Sequence, residues 1–471
     1  MTTLVLAWPD IVYDLQSLVE EGAEVFIVGG AVRDAYLRRP IKDIDLVVPH
    51  HGMKLARQIA NHFGGAYYPL DVERDIGRAI LNTPDGRIII DASCFRGPDL
   101  IADLADRDFT INAVAAPLRG SLNVVIDPLG GIGDLRDKVL RRCGPQSIAA
   151  DPVRALRAVR FGAQLGFRIL PETLADIRAS AEKLRQVSPE RIRDEWFRIL
   201  ALPKAASALR VTKALNLLEP IVPTLDSMPH HAWENLLRVI DSLYAIVTAF
   251  SPLRTDETVA QFRLGALVSV LDRYRPQLEA HLSFQWPDER SHRALLVMAL
   301  LLRGASMFDL PISAAEYGKR LPLSSDEIKR IQALAHPSEL LSQQQPLTAL
   351  DRYRFWKSYG RAGIDEILIN LADYTTSAEA AFSHEEWLRR IERAGLLLDA
   401  WFVEPARYVE PPPLITGDTL IDVLGMHPGP EMGRLLELIR EAQVEGTVKT
   451  VDEALAFARQ WLSRNGSSQE A

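Results

Sequence analysis

Hydrophobic and polar positions divide the chain into a strand-rich beginning and a long helical remainder. Two short, continuous runs rich in β-branched residues, 25–28 and 44–48, are typical of buried strands. Two glycines follow the first run and precede a helical pattern, which predicts a tight turn from strand to helix. Further elements are predicted as strands at 66–70, 78–82 and 87–92, a hairpin turn at 83–86, and helices at 1–24 and 50–63.

Beyond Phe161 the apolar spacing is helical as far as the last few residues. Pro152 and Pro189 suit the first position of a helix, with Asp151 and Ser188 as the preceding caps. Three prolines at 411–413 predict a stiff linker. We therefore predict an α+β protein in four parts: a mixed-sheet head with helices over 1–142, a helical neck over 143–225, a helical body over 226–406 and a helical tail over 411–471.

The second buried strand carries the first candidate chemistry. Asp43 and Asp45 are two residues apart, so in a strand both carboxylates lie on one face. Beside them, the amides of the Gly29-Gly30 turn face the start of a helix, where an anion is favoured, and Arg33 adds a charged donor for a phosphate. This pattern suggests a site for a divalent metal and a nucleotide phosphate. Asp91, at the end of another strand, is either a third acid of that site or an ordinary turn-forming residue.

Composition indicates the cellular compartment and limits the kinds of partner. The 471 residues include only two cysteines, no apolar run approaches the roughly 18 residues of a membrane helix, and the N-terminus has no basic start with a long apolar core. We expect a cytoplasmic protein without a membrane partner. The net charge of −8 argues against indiscriminate coating of nucleic acid.

A local basic strip, however, runs from Arg136 to Arg168. It holds eight Arg and Lys against two Asp, 8 − 2 = +6, and is either a solvated helical face or an RNA contact. Within it, Asp151 and Arg154 stand three residues apart, with Arg157 and Arg160 following at the same interval. Two interpretations are open. In the first, Asp151 caps the helix and the arginines form a solvated stripe; in the second, the Asp151 carboxylate and the Arg154 guanidinium together recognise the edge of a base.

Five short motifs occur at 29–34, 43–45, 107–113, 151–154 and 190–193. Their order and the distances between them are those of one known family. Together they resemble the class II tRNA nucleotidyltransferases, the CCA-adding enzymes, and their relatives the bacterial poly(A) polymerases. The tail over 417–446, with Met-His-Pro-Gly-Pro at 426–430, is similar to the C-terminal segment of the CCA-adding enzymes. The resemblance implies a DNA polymerase beta-like nucleotidyltransferase head, followed by an all-α neck, body and tail.

The resemblance also implies a role for each motif. Two Mg²⁺ ions would be held by Asp43 and Asp45, with Asp91 a possible accessory ligand. The segment 127–134 would be a hinge that lets one site accept first C and then A. Nucleotide-binding roles are implied for Gly29, Gly30, Arg33, Arg107, Asp108, Asn112, Asp151, Arg154, Arg157 and Arg160, with Arg107 and Asp108 at the ribose and Asp151 and Arg154 at the base.

Some positions depart from the family pattern. Ala150 stands where the base-reading motif usually has Glu, and Asp106 where an Arg often precedes the Arg-Asp pair. Some relatives carry an HD phosphohydrolase domain in the middle of the chain, but here Ser269-Val270 replaces its central His-Asp pair. We therefore expect a degenerate HD-like body without catalytic metal, and ordinary roles for His230 and His231.

The resemblance implies an enzyme that adds CCA from CTP and ATP to the 3′ end of tRNA, bound through its acceptor arm, with release of pyrophosphate. A CC-adding or A-adding specialist and a poly(A) polymerase are alternatives of the same class, although the final segment from Glu431 to Ala471 is not basic as in the polymerases. A non-catalytic RNA-binding protein and an HD-type phosphohydrolase are less favoured, and the sequence leaves the oligomeric state open.

Overall fold

The computed structural model describes residues 2–20, 22–84, 86–251, 254, 262–308, 313–376 and 382–465. The chain forms two compact units, 1–223 and 224–471, so the predicted head and neck share the first unit and the predicted body and tail share the second. The division lies close to the neck–body boundary predicted at 225. The finer boundaries within each unit stay predictions.

A six-stranded mixed sheet forms the centre of the first unit, with five strands where the sequence predicts them and a sixth, at Ala115–Pro117, that the sequence analysis missed. Its strand order is β4-β5-β6-β3-β2-β7, and only β3 and β6 are parallel neighbours. Two smaller ladders pair β1 with β8 and β9 with β10. The strands are β1 Thr2–Thr3, β2 Phe26–Val28, β3 Asp43–Val48, β4 Ala66–Asp71, β5 Ile76–Thr83, β6 Gly86–Cys94, β7 Ala115–Pro117, β8 Val124–Val125, β9 Val139–Leu140 and β10 Arg168–Ile169.

Alternation along β3 separates the core from the site. Ile44 and Leu46 are buried in the apolar core beneath the sheet, whereas Asp43 and Asp45 point to the opposite, solvent-accessible face. The period of two residues in a strand produces this division directly. Both carboxylates therefore share one face, as the sequence predicts.

Helices cover the sheet and continue into the predicted neck. The leading helix is shorter than the predicted 1–24, and buries Ile11 and Leu15. The helices of this unit are α1 Asp10–Leu18, α2 Gly30–Tyr36, α3 Gly52–Phe63, α4 Leu100–Ala105, α5 Gly131–Arg136, α6 Ser147–Ala150, α7 Val153–Leu165, α8 Pro171–Ser180, α9 Pro189–Leu200, α10 Ala205–Ala214 and α11 Leu218–Ile221, with 3-10 turns at Thr110–Asn112 and Ala181–Gln186 and a further helix, α12 Pro223–Asp226, at the division between the units.

The start of α7 corrects one prediction. Asp151 follows the short helix α6, and Pro152 rather than Asp151 occupies the cap position before Val153. No side chain caps the free amides there, so the predicted capping role of Asp151 is wrong. Its carboxylate instead accepts a hydrogen bond of 2.7 Å from Nη2 of Arg191 on α9. Pro189, by contrast, begins α9 as predicted.

The second unit is predominantly helical, and its described residues include a ladder of two-residue strands, β11 Gln285–Trp286 and β12 Arg290–Ser291. The helices bury large aromatic side chains such as Trp356 and Trp387. They are α13 His230–Ala249, α14 Phe262–Leu271, α15 Arg275–Leu282, α16 His292–Ser306, α17 Ala314–Arg320, α18 Ser325–Ala333, α19 Ala349–Tyr359, α20 Ala362–Thr375, α21 His384–Phe402, α22 Pro405–Tyr408, α23 Gly417–Leu424, α24 Pro430–Glu445 and α25 Val451–Asn465, with 3-10 turns at Asp272–Tyr274 and Pro287–Glu289.

The predicted helices of the body are present, at α13 and α14. His230 and His231 lie at the exposed start of α13, which fits the surface role expected of them. The tail helices α23, α24 and α25 form a separate apolar core that includes Leu420, Leu435 and Ala454. Among the described helices, none combines the length and the apolar character needed to cross a bilayer.

Candidate active site

Three acids lie side by side on the solvent face of the sheet. The parallel pairing of β3 with β6 places Asp45 directly opposite Asp91, with Asp43 two residues away on β3. Asp91 is held by Arg78 of β5 through two hydrogen bonds of 2.8 Å. The two oxygens of Asp91 are thus already engaged. Asp91 therefore lies beside the pair but differs from it in carrying a bidentate arginine.

The electrostatics of Asp45 reflect this crowding. Although Asp45 keeps contact with solvent, neighbouring protein groups displace water from its carboxylate and raise its pKa. The positive charge of Arg107 opposes that effect, while the negative charges of Asp91 and Asp43 add to it. A cation between such carboxylates would relieve their repulsion, and hard carboxylate oxygens are ligands that Mg²⁺ accepts.

The glycine turn after β2 brings the backbone close to this acid face. Gly29 has φ of +72°, and a Cβ there would lie 2.8 Å from Nη1 of Arg107. Its N–H donates to the carbonyl of Val114 at 3.0 Å, so the predicted free amide is wrong for Gly29. The turn therefore serves the site by making room for Arg107 and for Asp45, whose Oδ2 is 3.7 Å from the same Cβ position.

Arg107 is oriented by a fully buried acid. Its Nε and Nη2 donate to Oδ2 of Asp103 at 3.1 and 3.0 Å, and Asp103 has no exposed surface. Among the described residues, Nη1 of Arg107 has no hydrogen-bond acceptor. Arg107 therefore presents one donor edge toward the glycine turn, while its other edge is fixed by the protein.

A chain of hydrogen bonds connects α2 to α7 through the 3-10 turn at Thr110–Asn112. Arg33 donates from Nη1 to Oδ1 of Asn112 at 2.6 Å, and Asn112 donates from Nδ2 to Oδ1 of Asp108 at 3.0 Å. Asp108 accepts in turn from Nε of Arg157 at 2.8 Å. Burial acts to raise the pKa of Asp108, but the Arg157 charge and the hydrogen bonds outweigh it and lower that pKa to about 2. Asp108 is therefore an anion at neutral pH.

Glu195 of α9 connects the arginines of the predicted nucleotide site. It accepts from Nε of Arg160 at 2.7 Å, from Nη1 of Arg198 at 2.9 Å and from Nη1 of Arg157 at 3.5 Å. Burial acts to raise the pKa of Glu195, while Arg160 and Arg157 bring about a net lowering. The guanidinium of Arg160 lies over the ring of Phe161, 4.2 Å from its centroid. Two cations are thus fixed side by side on α7.

The predicted base-reading pair has other partners in this structure. Arg154 is buried and donates to the main-chain carbonyls of Arg107, Ser147 and Asp106 at 3.2, 3.2 and 2.7 Å. Its Nε lies 3.7 Å from Oδ2 of Asp151, which Arg191 also contacts. Arg154 therefore ties the loop before the Arg-Asp motif to α7, beside a carboxylate that keeps partial exposure.

The basic strip is less free than its composition predicts. Within 4.0 Å, six of its eight cations have an acid partner, which leaves Lys138 and Arg168 without one among the described residues. The paired residues are Arg136, Arg141, Arg142, Arg154, Arg157 and Arg160. The local balance of +6 thus overstates the charge that this segment offers to RNA.

The structure brings together most of the predicted site residues and adds two that the sequence analysis missed. Asp103 orients Arg107, and Glu195 holds Arg157 and Arg160. The spacing of Asp103 and Arg107, four residues apart, offered a helical ion-pair signal that could have revealed the first. No local signal identifies Glu195, because its partners lie on another helix.

Comparisons with known proteins agree with this geometry. A model of the poly A polymerase head domain matches residues 25–141, one of a probable RNA and SrmB-binding site of polymerase A matches 166–228, and one of a putative tRNA nucleotidyltransferase domain 2 matches 306–458. A solved complex of a CCA-adding enzyme with ATP shares the fold, with a TM-score of 0.65 at 22% identity over 97% of this chain and 96% of that one.

Similarity in sequence extends over nearly the whole chain. A CC-adding tRNA nucleotidyltransferase of Geobacter sulfurreducens is 34% identical over 93% of this chain and 91% of its own length. An A-adding tRNA nucleotidyltransferase of Deinococcus radiodurans is 30% identical over 94% of this chain and 96% of its own. The fold class, the enzyme class and the resemblance predicted from the sequence are confirmed: this chain belongs to the tRNA nucleotidyltransferase family.

Proposed function

We propose that this chain builds the CC part of the CCA end, adding cytidine from CTP to the 3′ end of tRNA in the cytoplasm. The observation that carries this choice is the 34% identity to a CC-adding enzyme over nine tenths of both chains. The site supports the reaction class, because two adjacent carboxylates on a strand face lie beside an arginine with one uncommitted donor edge.

The carboxylates of Asp43 and Asp45 fit a pair of Mg²⁺ ions, since both are hard oxygen donors whose repulsion a cation relieves. Such ions, when bound, supply charge stabilisation for the triphosphate and acidify the attacking 3′-hydroxyl. Asp91, engaged by Arg78, keeps that arginine away from the pair and shapes the field around Asp45 rather than acting as a full ligand.

The remaining residues position the nucleotide. Arg107 offers Nη1 to the ribose or a phosphate, while Asp103 prevents rotation of its guanidinium. Arg33 donates a hydrogen bond to Asn112, and Asn112 donates one to Asp108. These two bonds hold the three side chains in place around the position proposed for the sugar. Because Arg107 and Arg33 are oriented before substrate arrives, positioning of the sugar and phosphate costs little reorganisation at these two residues.

Selection of the base falls to Asp151, with Arg154 beside it. The carboxylate can accept from the exocyclic amino group of cytosine once Arg191 moves aside, and Arg154 would need to exchange one carbonyl partner for the base. We assign Gly30, Arg157 and Arg160 to the surroundings of the triphosphate. The acceptor arm of the tRNA would be held largely by its backbone, as expected for RNA recognised by shape.

Sequencing of 3′ ends tests the proposal. tRNA transcripts ending at the discriminator base, at C and at CC are each incubated with enzyme, Mg²⁺, CTP and ATP. The expected products are CC ends on the first two and no extension of the third. The variant with Asp43→Asn and Asp45→Asn should lose incorporation, whereas Asp14→Asn, an exposed acid on α1, should keep it.

The same three substrates test the alternatives. A full CCA end on the first transcript would establish the complete reaction predicted from the sequence, in which segment 127–134 acts as a hinge. A single A on the third alone would assign the A-adding reaction, which the Deinococcus radiodurans relative favours. Long A tails would indicate a poly(A) polymerase, and no incorporation on any substrate would indicate an RNA-binding protein without catalysis.

A further inference from the structure

A second polar cluster lies in the other unit, far along the chain from the predicted site residues. His281 of α15, His292 of α16 and Asp365 of α20 are fully buried, and their ligand atoms lie within 4.8 Å of one another. Within the described part of the chain this is the only trio of His, Cys, Asp or Glu side chains that converges so closely. The trio therefore requires an explanation that the transfer reaction does not provide.

Hydrogen bonding fixes the protonation of both rings. Nε2 of His281 and Nε2 of His292 lie 2.6 and 2.9 Å from Oδ1 of Asp365. On the other side, Nε1 of Trp286 faces Nδ1 of His292 at 3.1 Å, and Nε of Arg361 faces Nδ1 of His281 at 3.4 Å. Tryptophan and arginine nitrogens can only donate, so both Nδ1 atoms accept. Each neutral ring then carries its proton on Nε2 and donates it to Asp365.

In this arrangement both Nε2 atoms are engaged by Asp365 and offer no lone pair to a metal. A histidine that binds metal through Nε2 uses the lone pair there and donates from Nδ1 to an acceptor. Both rings show the opposite pattern. Burial lowers the pKa of His281 against the opposing effect of Asp365, in keeping with a neutral ring. The cluster is thus a hydrogen-bond network that connects three helices.

The network forms one side of an open cavity of about 350 Å³, within the range of small-ligand sites. Aromatic rings line part of it. Phe284 is 42% exposed and meets Trp286 edge to face, with ring centroids 5.0 Å apart. Tyr359 lies at the end of α19 and also faces the cavity. Trp286 is buried, with His292 stacked on its ring, so Phe284 is the aromatic side chain that can accept a planar ring by stacking.

Three cations line the same cavity. Nη1 of Arg330 pairs with Oδ2 of Asp365 at 2.7 Å, and Nζ of Lys329 lies 3.5 Å from Oδ1 of Asp326. Arg361 is exposed, and among the described residues no carboxylate lies within ion-pair distance of it. The cavity therefore combines one exposed aromatic ring with one positive charge that no described carboxylate neutralises.

We propose that this cavity binds a nucleotide unit, with the base against Phe284 and the phosphate at Arg361. Guanidinium groups bind phosphate in a fixed fork, and base–aromatic stacking tolerates any base. The unit is either a free nucleotide or one residue of an RNA strand, since both offer the same ring and phosphate. The site lies wholly in the second unit and does not depend on the reaction proposed for the first.

Photolabelling followed by peptide mapping tests the site directly. The full-length protein is irradiated with 8-azido-AMP without divalent metal, and the labelled peptides are sequenced. Label is expected on a peptide that contains Phe284, Trp286 or Tyr359, and its half-saturating concentration should rise about tenfold in Arg361→Ala because one charged contact is lost. Arg407→Ala, which removes an equally charged, exposed arginine that pairs with Glu404 and does not line the cavity, should leave the labelling unchanged.

Competition identifies the source of the ligand. Protection by AMP at lower concentration than by an oligoribonucleotide assigns the cavity to a free nucleotide, and the reverse order assigns it to RNA. Label confined to residues 1–223 would overturn the proposal while leaving the transfer site intact. Equal labelling of the wild type and Arg361→Ala would overturn it as well, as would one equivalent of bound transition metal that Asp365→Asn removes.

Discussion

Removal of the Glu195 carboxylate provides a stringent test of how the arginines of α7 are held. Its side chain is 6% exposed and faces three guanidinium groups, those of Arg157, Arg160 and Arg198. Truncation by Glu195→Ala would leave these charges beside a cavity without their common anion. Breaking a buried pair in this way costs about 3–5 kcal/mol. Glu195→Gln keeps the shape and one acceptor oxygen, so its cost should be smaller.

The cost must be measured locally, because a chain with two units has no single free energy of unfolding. Hydrogen exchange with mass spectrometry reports the opening free energy of peptides from α7 and α9 separately from the rest. We expect that free energy to fall by about 3–5 kcal/mol in Glu195→Ala, with peptides of the second unit unchanged. Glu190→Ala, an exposed acid on the same helix, should change it by no more than about 0.5 kcal/mol. Equal protection in the Glu195→Ala and Glu190→Ala variants would refute the role of Glu195.

Three further predictions concern the first unit. The pKa of Asp108 is about 2 in the folded state, below its unfolded value, so its ionised form contributes about 2 kcal/mol of stability above pH 4 that is lost as the pH falls toward 2. Pepsin-cleavage rates mapped to residues 1–223 should rise over this pH range, and Asp108→Asn should flatten that pH dependence. Asp103→Ala should lower kcat/KM for nucleotide addition about tenfold to a hundredfold by releasing the motif arginine, and unchanged kinetics, or an equal loss in the exposed Asp106→Ala, would contradict it. Gly29→Ala should abolish most activity through its contact at 2.8 Å, whereas Gly64→Ala, with positive φ but open space, should reduce stability alone, as steady-state rates and melting temperatures will show.

Periodicity in the sequence was sufficient to predict the strand of the acids. Alternation along 43–48 places Asp43 and Asp45 on one face whatever the neighbours are, and the structure agrees. The neighbours themselves depend on tertiary pairing. Asp91 becomes a partner of Asp45 only because β6 runs parallel to β3, and that register has no local signature.

The polar partners were harder to predict for the same reason. The arginines of α7 read as a solvated stripe or as phosphate ligands, yet Glu195, on a separate helix, turns two of them inward. The second unit gives another example, since no sequence motif connects His281, His292 and Asp365. Only the packing of three helices brings them into one network. Local patterns thus predicted which groups face the site, but not which groups hold them.

The pairing of β3 with β6 also has a consequence for biosynthesis. As the polypeptide leaves the ribosome, β2 and β3 can form a short antiparallel pair at once, but the other edge of β3 waits until residue 94 has emerged. Until then the strand with both acids presents unpaired amides and carbonyls, the kind of edge that invites association between chains. Nascent chains halted before residue 94 should therefore recruit chaperones more strongly than chains that include β6, and those in turn more strongly than chains that also include β7, which covers the other edge of β2.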